Sequence, residues 1–234
     1  MNRIISIAGG SGVGKTTISQ LLIEAIGQEN AVMIHGDDSH KWERGEENWQ
    51  QYTHLDPSAN NLEREFDHLS ELKSNNNISR SHYDHDTGKF TDPLNIDAKP
   101  FIIYDGLHAL YNANMRFVSD LKIFVKASEP LRTYWKVNRD TEKRGATKES
   151  VLDHCARRRN DYEQFIAPQE NEADIVIFFE LQHTIDTDYP MEDDDMSFCL
   201  SIKTNQEDII YNCNLDEFKD IINNTVLKQL EREI

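Results

Sequence analysis

The segment Gly9–Thr16 carries the most specific chemical signal in the sequence. It reads GGSGVGKT and fits the pattern GxxxxGK[ST] at every fixed position. Glycines let the backbone N–H groups of such a loop wrap a phosphate, and the N-terminus of the following helix adds a partial positive charge. Lys15 would reach the β and γ phosphates of a nucleotide, and the Thr16 hydroxyl would ligate Mg²⁺. A plain glycine-rich turn is the alternative, but the complete motif favours nucleotide binding. The predicted ATP-binding residues are Gly9, Gly10, Ser11, Gly12, Val13, Gly14, Lys15, Thr16 and Thr17.

A second apolar segment ends in a carboxylate that could complete a metal site. Phe101–Gly106 reads FIIYDG, and an acid at the end of a strand can hold Mg²⁺ directly or through water. Any buried strand can end in Asp before Gly, so this segment alone is a weak signal. Together with the phosphate-binding loop, it predicts that Asp105 serves Mg²⁺.

The segment Gly36–Arg44 could hold the molecule that accepts a phosphate. It reads GDDSHKWER and follows a predicted strand. Side chains at the carboxyl ends of such strands point into the crevice of an open α/β sheet. An Asp there can accept the proton of an attacking hydroxyl, and a nearby His or Arg can hold an anionic substrate. A polar loop whose Asp caps the next helix is the alternative.

Charged residues of the predicted helix Glu129–Arg144 share one of its faces. Five of them fall at the spacing i, i+3, i+4, i+7 and i+8, which places them on one side. Phosphoryl transfer needs cations around the γ-phosphate, and a lid can bring them while it excludes water. A solvated face with i,i+4 ion pairs is the alternative, and the phosphate-binding loop favours a lid at about residues 139–149. The five residues are Lys136, Arg139, Asp140, Lys143 and Arg144.

These side chains must be positioned by a sheet and its helices. Short β-branched runs alternate with amphipathic segments, which is typical of βα units, and the near-continuous apolar strands suit burial on both faces. The predicted fold is α/β, a three-layer sandwich of the P-loop NTPase type with a mostly parallel sheet and a helical lid. Predicted strands are Arg3–Ala8, Ala31–His35, Phe101–Asp105, Leu121–Lys126, Asp174–Phe179 and Ser197–Lys203. Predicted helices are Lys15–Gly27, Pro57–Lys73, Glu129–Arg144, Lys148–Phe165 and Leu215–Glu233, with an acidic turn at Glu192–Asp195.

The distribution of charge restricts the class of partner. The 234 residues carry a formal net charge of −17, which argues against binding nucleic acid or an anionic membrane surface. Residues 180–234 hold 14 acidic and 4 basic side chains, whereas residues 132–159 hold 9 basic and 4 acidic ones. A small anionic substrate therefore remains compatible with the composition. We predict a single domain over residues 1–234, with an acidic strand/helix extension at about 181–234.

The N-terminus, the lengths of the apolar runs and the cysteines indicate where in the cell the protein is located. The first predicted strand begins at Arg3, which leaves no room for a secretory signal peptide, and no apolar run approaches the length of a membrane span. Three cysteines without a CxxC pair argue against a disulfide framework or a cysteine-based zinc site. We expect a cytoplasmic protein.

Together, these segments resemble the phosphoribulokinase/uridine kinase family, and within it the phosphoribulokinase branch. The resemblance runs from residue 3 to about residue 180. Uridine kinases share the phosphate-binding loop and the lid but usually have an aromatic residue where His40 stands. Besides Gly9–Thr16 and Gly36–Arg44, the matching segments are THLDPSANN at 53–61, SHYDHDTG at 81–88, YDGLH at 104–108, residues 135–145 and FIAPQ at 165–169.

The resemblance implies a kinase that uses ATP with Mg²⁺ and phosphorylates a hydroxyl of a sugar phosphate, ribulose 5-phosphate or a related pentose phosphate. A uridine/cytidine kinase and a catalytically silent nucleotide-binding regulator are the alternatives, and a homodimer is left open. Three departures from the family pattern are Asp105 in place of the usual glutamate, Ser39 in place of an aromatic residue, and a shortened, acidic C-terminal region.

The resemblance also implies roles for individual residues, with Asp37 as the general base. The implied catalytic residues are Asp37, Lys15, Arg139, Asp140 and Arg144. The implied substrate-binding residues are Asp37, His40, Arg44, His82, Tyr83, Lys136, Arg139 and Arg144. The implied Mg²⁺ ligands are Thr16, Asp105 and Asp140.

Overall fold

A computed structural model describes residues 1–181, 198–204, 208–213 and 215–232 of the chain. Strands and helices alternate over most of this length. The strands are β1 (Arg3–Gly9), β2 (Ala31–His35), β3 (Ile78–Arg80), β4 (Tyr83–Asp84), β5 (Lys89–Phe90), β6 (Leu94–Ile96), β7 (Phe101–Gly106), β8 (Leu121–Ala127), β9 (Ile175–Leu181), β10 (Phe198–Thr204) and β11 (Asp208–Cys213). The helices are α1 (Lys15–Ile26), α2 (Glu47–Gln51), α3 (Leu62–Lys73), α4 (Ala113–Val118), α5 (Glu129–Arg144), α6 (Lys148–Arg157), α7 (Arg159–Asp161) and α8 (Leu215–Arg232).

A seven-stranded sheet forms the centre of the fold, in the order β11-β10-β9-β8-β1-β7-β2. The five strands from β9 to β2 are parallel, and β10 and β11 extend the sheet as antiparallel strands. The predicted mostly parallel α/β sheet is confirmed, and all six predicted strands are present. The sequence patterns do not predict β11 or the small sheets β3–β6 and β4–β5. The strands of those small sheets have only two or three residues, which is too short to show a period.

Apolar side chains cover both faces of this sheet, which explains the continuous apolar runs of the central strands. One face packs against α1, α5 and α8, and the other packs against α3 and α4. In α8 the buried residues Phe218, Ile222 and Val226 form the side that packs against the sheet. The predicted turn at Glu192–Asp195 lies outside the described residues.

The predicted helix from Pro57 to Lys73 is wrong over its first five residues. Asp56 does act as a cap, but of a short 3-10 turn, where its carboxylate accepts from the backbone N–H of Ser58 at 2.8 Å. Asn60 then has an extended backbone, and its side-chain oxygen accepts a hydrogen bond from Nδ1 of the buried His40 at 2.9 Å. This tertiary contact breaks the helix, and Asn61 caps the new start of α3.

The segment predicted as one helix from Lys148 to Phe165 is also interrupted. Helix α6 ends at Arg157, and α7 is followed by a π turn at Tyr162–Ile166. Before α6, helix α5 ends at Arg144 and is capped by Gly145, whose φ of 64° is the left-handed conformation that glycine adopts without strain. Helices α5 and α6 therefore form a hairpin on the rim of the sheet, where the lid is predicted.

The carboxyl ends of β1, β2 and β7 lie side by side, so that their following loops meet. A Cβ atom on Gly36 would lie only 2.7 Å from Cα of Gly106. Because that neighbour is backbone, a larger residue at position 36 would force the two loops apart. No helix among the described residues is long and apolar enough to cross a membrane.

Candidate active site

A cavity of about 1000 Å³ opens where the loops after β1, β2 and β7 meet the α5–α6 hairpin. The phosphate-binding loop lines one part of it, and a group of histidines lines another. The predicted site residues that line it are Ser11, Gly12, Val13, Gly14, Lys15, Thr16, Thr17, Asp37, His40, Arg44, His82, Asp105, Lys136, Arg139 and Asp140. The structure thus brings most of the predicted site into one space.

The phosphate-binding loop runs between β1 and α1, as its mechanism requires. Gly12 and Gly14 have φ values of 80° and 92°, a region in which residues with a Cβ are strained. The Lys15 ammonium donates to the carbonyl oxygens of Gly9 at 3.0 Å and Gly10 at 2.7 Å. Burial lowers the pKa of Lys15, an effect opposed by the nearby negative charge of Asp105. The loop therefore holds a largely desolvated cation beside its backbone N–H groups, an arrangement that suits phosphate oxygens.

Thr16 and Asp105 form an oxygen-rich pair at the start of α1. The Thr16 hydroxyl donates to Oδ2 of Asp105 at 3.0 Å. Nδ1 of His35 lies 2.9 Å from the other carboxylate oxygen, Oδ1. A hydroxyl and a carboxylate are the hard donors that Mg²⁺ prefers, and Mg²⁺ usually takes only one or two protein ligands together with substrate phosphates. The pair therefore fits Mg²⁺, although no cluster of three or more His, Cys, Asp or Glu residues within the described part of the chain could hold a metal alone.

Asp37 follows β2 and presents its carboxylate to the cavity, with 42% of the side chain exposed. Nε2 of His85 donates to Asp37 Oδ2 at 3.0 Å. Burial raises the pKa of Asp37, but the hydrogen bond from His85 and the positive charges around it, including Lys15, outweigh burial and hold this pKa far below its usual range. Asp37 is therefore ionised at neutral pH and can accept a hydrogen bond from a substrate hydroxyl.

The neighbouring Asp38 has a different role, because it is buried. Its carboxylate accepts from the backbone N–H of Tyr83 and from Nδ1 of His82, both at 2.8 Å. It also pairs with Arg80 at 3.3 Å, and Arg80 reaches the buried Glu65 at 3.2 Å. This ionic cluster ties α3, β3 and the loop after β2 together. It fixes the loop from which Asp37 points into the cavity.

Aromatic and histidine rings form a wall beside Asp37. The rings of His40 and His54 are stacked with their centres 4.1 Å apart, and Trp49 contacts both. Burial lowers the pKa of His40, and burial together with the positive charge of Arg158 lowers the pKa of His54 to about 2. His40 therefore lines the cavity as a neutral ring rather than as a cation.

Of the other residues predicted to contact the acceptor, two line the cavity and one does not. His82 and Arg44 line the cavity, and the Arg44 guanidinium donates to the backbone carbonyl of His85 at 2.6 Å. Tyr83 is only 1% exposed and does not line the cavity. Its ring packs against Trp49 and against the edge of His40, so it supports the wall from behind, in contrast to the substrate contact that the sequence predicts.

Helix α5 brings its cations against the phosphate-binding loop. Asp140 pairs with Lys136 at 2.9 Å and with Arg139 at 2.8 Å, and Arg139 also donates to the Ser11 hydroxyl at 3.3 Å. The predicted Mg²⁺ ligand Asp140 thus has its carboxylate between two cations, whereas Asp105 pairs with Thr16. The Asp140 carboxylate therefore contacts the cations of α5, and its role as a Mg²⁺ ligand stays a prediction. The side chain of Arg144 lies outside the described residues.

Sequence reasoning does not identify several residues that the cavity contains. His35 contacts the Asp105 carboxylate and His85 contacts the Asp37 carboxylate. Trp49 and His54 form part of the wall. His35 is the last residue of β2 and pairs in register with Asp105 of β7. Strand alignment could therefore have identified it. Arg158 and His154 also line the cavity, from the region after α5.

Comparisons with known proteins agree with this geometry. A model of the phosphoribulokinase/uridine kinase family matches residues 4–185. The chain is 34% identical over 174 residues to a phosphoribulokinase of Synechocystis sp., a match that covers 74% of this chain and 52% of that protein. It is also 34% identical over 183 residues to a uridine kinase of Borrelia duttonii, which covers 76% of this chain and 86% of that protein. The chain thus spans about half the length of the phosphoribulokinase.

The fold is shared with solved structures. A phosphoribulokinase from Rhodobacter spheroides superposes with a TM-score of 0.74 at 23% identity, over 99% of this chain and 98% of that one. At this identity the likeness shows the fold alone. The predicted P-loop kinase sandwich is therefore confirmed.

The stacked histidines make stability depend on pH. An ordinary histidine has a pKa near 6.5, whereas that of His54 is lowered to about 2 in the folded protein. Below about pH 6.5, His54 binds a proton in the unfolded chain but stays unprotonated in the folded protein. The free energy of unfolding therefore falls as pH falls, by at most about 1.4 kcal/mol per pH unit for this group. We expect His54→Phe to lose less unfolding free energy than the wild type between pH 7.5 and 5.5, in urea titrations. Equal losses in the two proteins would contradict this assignment.

Proposed function

The chain belongs to the phosphoribulokinase/uridine kinase family, and from this premise we propose that it transfers the γ-phosphoryl group of ATP to a hydroxyl of a sugar phosphate. One observation carries the proposal. The phosphate-binding Lys15, the Thr16–Asp105 pair and the ionised Asp37 all face one cavity. Phosphoryl transfer needs these three groups at one place, because donor phosphates, metal and acceptor hydroxyl must be aligned.

The donor end is formed by the loop after β1 and by α5. Backbone N–H groups and Lys15 would bind the β and γ phosphates, and Thr16 and Asp105 would hold Mg²⁺. When bound, Mg²⁺ offsets the charge of the phosphate oxygens. Arg139 already contacts the loop through Ser11, so it can add positive charge where the transferred group develops negative charge.

The acceptor end is formed by the loop after β2 and by the histidine wall. The Asp37 carboxylate would accept the hydrogen bond of the attacking hydroxyl, orient it toward the γ-phosphate, and take its proton as the new bond to phosphorus forms. A strongly lowered pKa makes Asp37 a weak base. This is sufficient where the transition state is loose and the proton moves late. Positioning is then its main contribution.

The groups around Asp37 favour a phosphorylated acceptor. Arg44, His82, His85 and Arg158 line the cavity together with Asp37, and side chains that carry or can take a positive charge suit an anionic substrate. Ribulose 5-phosphate or a related pentose phosphate is the proposed acceptor. A nucleoside such as uridine is the second candidate, because the neutral rings of Trp49, His40 and His54 offer a surface for a base.

The organisation of the chain follows from the same proposal. We propose one domain over residues 1–234, a lid at about 139–149, and an extension at about 181–234 that belongs to the same unit. Strand β10 supports the last point, since it pairs with β9 over seven residues. A cytoplasmic location and a homodimer stay predictions.

A panel of acceptors tests the reaction. We expect the purified chain to release ADP from Mg·ATP with ribulose 5-phosphate or another pentose phosphate, because cationic side chains face Asp37. The measurement is coupled ADP release with each sugar phosphate and with uridine. Turnover of uridine alone would identify a nucleoside kinase, and ATP binding without turnover of any acceptor would favour a silent regulator.

Replacing Asp37 tests its role. We expect Asp37→Asn to lower kcat by about 10²–10⁴-fold, the usual contribution of a positioned base, while the affinity for ATP changes little. Steady-state kinetics and nucleotide titration measure the two effects. The control is Asp86→Asn, the same chemical change at an exposed residue that does not line the cavity. Comparable turnover by Asp37→Asn and the control would remove Asp37 from the mechanism.

A further inference from the structure

We infer that His35 is a positioning residue that orients the Asp105 carboxylate for the metal ion. The inference rests on the proposed function, in which Asp105 and Thr16 hold Mg²⁺. His35 does not enter the family-like motifs identified in the sequence, and no catalytic step described above uses it.

The sheet places the two residues opposite each other. His35 ends β2 and is in register with Asp105, near the end of β7. Adjacent residues of neighbouring strands have side chains close enough to interact directly. Nδ1 of His35 lies 2.9 Å from Oδ1 of Asp105. Because an ionised carboxylate only accepts hydrogen bonds, Nδ1 must be the donor in this pair.

Asp105 is held by hydrogen bonds to both of its oxygens. The Thr16 hydroxyl donates to Oδ2 at 3.0 Å, and His35 donates to Oδ1. The carboxylate is nearly buried, with 6% of the side chain exposed. The Ser19 hydroxyl also donates to Oδ2, at 3.5 Å. Donors on both oxygens fix the rotation of the carboxylate about its last bond. Without His35, Oδ1 would have to turn toward another donor or remain unpaired.

His35 is itself anchored from the other side of the strand. Its backbone carbonyl accepts a hydrogen bond from Arg80 at 2.9 Å, and Arg80 belongs to the buried ionic cluster with Asp38 and Glu65. The imidazole therefore acts from a fixed backbone. Partners that orient metal ligands in this way commonly change metal affinity by about 10–100-fold when they are removed.

Two substitutions separate the role of Nδ1 from that of the ring. In His35→Asn the side-chain amide nitrogen can take the place of Nδ1, whereas in His35→Gln it lies nearer the place of Nε2. The probe is Mn²⁺, which reports on an Mg²⁺ site, titrated by electron paramagnetic resonance in the presence of a non-hydrolysable ATP analogue. The control is His68→Gln, the same chemical change at a histidine of α3 that does not line the cavity.

We expect His35→Gln to weaken Mn²⁺ binding by at least about tenfold, while His35→Asn and His68→Gln bind it nearly as the wild type does. Affinity for the nucleotide without metal should be the same in all four proteins. Metal-free thermal unfolding measures whether each variant is folded. Equal Mn²⁺ affinity in His35→Gln and the wild type would overturn the inference. Tighter binding would also overturn it, since His35 would then compete with the metal for Asp105.

A double-mutant cycle distinguishes action through Asp105 from a general disturbance of the site. In an Asp105→Asn background, His35→Gln should have no further effect on Mn²⁺ affinity. An undiminished effect in that background would overturn the inference. If the wild-type protein with nucleotide binds no more Mn²⁺ than the nucleotide does alone, the proposed metal pair fails, and the inference fails with it.

Discussion

The register between β1, β2 and β7 is the constraint on which the site depends. Parallel pairing places Ala8 beside Gly106 and His35 beside Asp105. The loops that follow the three strands therefore begin at the same end of the sheet, the carboxyl end of its strands. A one-residue shift in β2 would turn its side chains to the opposite face. The close approach of Gly36 to Gly106 shows how little room this convergence leaves. The loop Gly9–Thr16, the Thr16–Asp105 pair and Asp37 line one cavity because the sheet brings them together.

Some charged side chains of this protein are buried in ion pairs, and others are exposed in the cavity. Two adjacent aspartates illustrate the point: Asp38 is buried with Arg80 and stabilises a loop, whereas Asp37 remains accessible in the cavity. Breaking a buried pair leaves an uncompensated charge, which is strongly destabilising, so such a cluster can hold a loop rigidly. Lys15, Arg44, Lys136, Arg139 and Arg158 all line the cavity, although the chain as a whole carries a net charge of −17.

Much of this arrangement can be predicted from the sequence, and the failures have physical causes. The loop at Gly9–Thr16 and the strand ending at Asp105 are local patterns, and both lie where predicted. The start of α3 is not a local property, because Asn60 is held in an extended conformation by His40, twenty residues earlier. Tyr83 resembles a substrate contact by its sequence position, yet it is buried among rings that only tertiary packing assembles.

The central claim is that Asp37 faces the hydroxyl that receives the phosphoryl group. The most direct measurement is a crystal structure of the protein with Mg²⁺, a non-hydrolysable ATP analogue and ribulose 5-phosphate. We expect an Asp37 oxygen within about 2.6–3.2 Å of a sugar hydroxyl that is aligned with the γ-phosphate. A sugar phosphate bound in the cavity with all its hydroxyls turned away from Asp37, while the nucleotide occupies the loop, would contradict the claim.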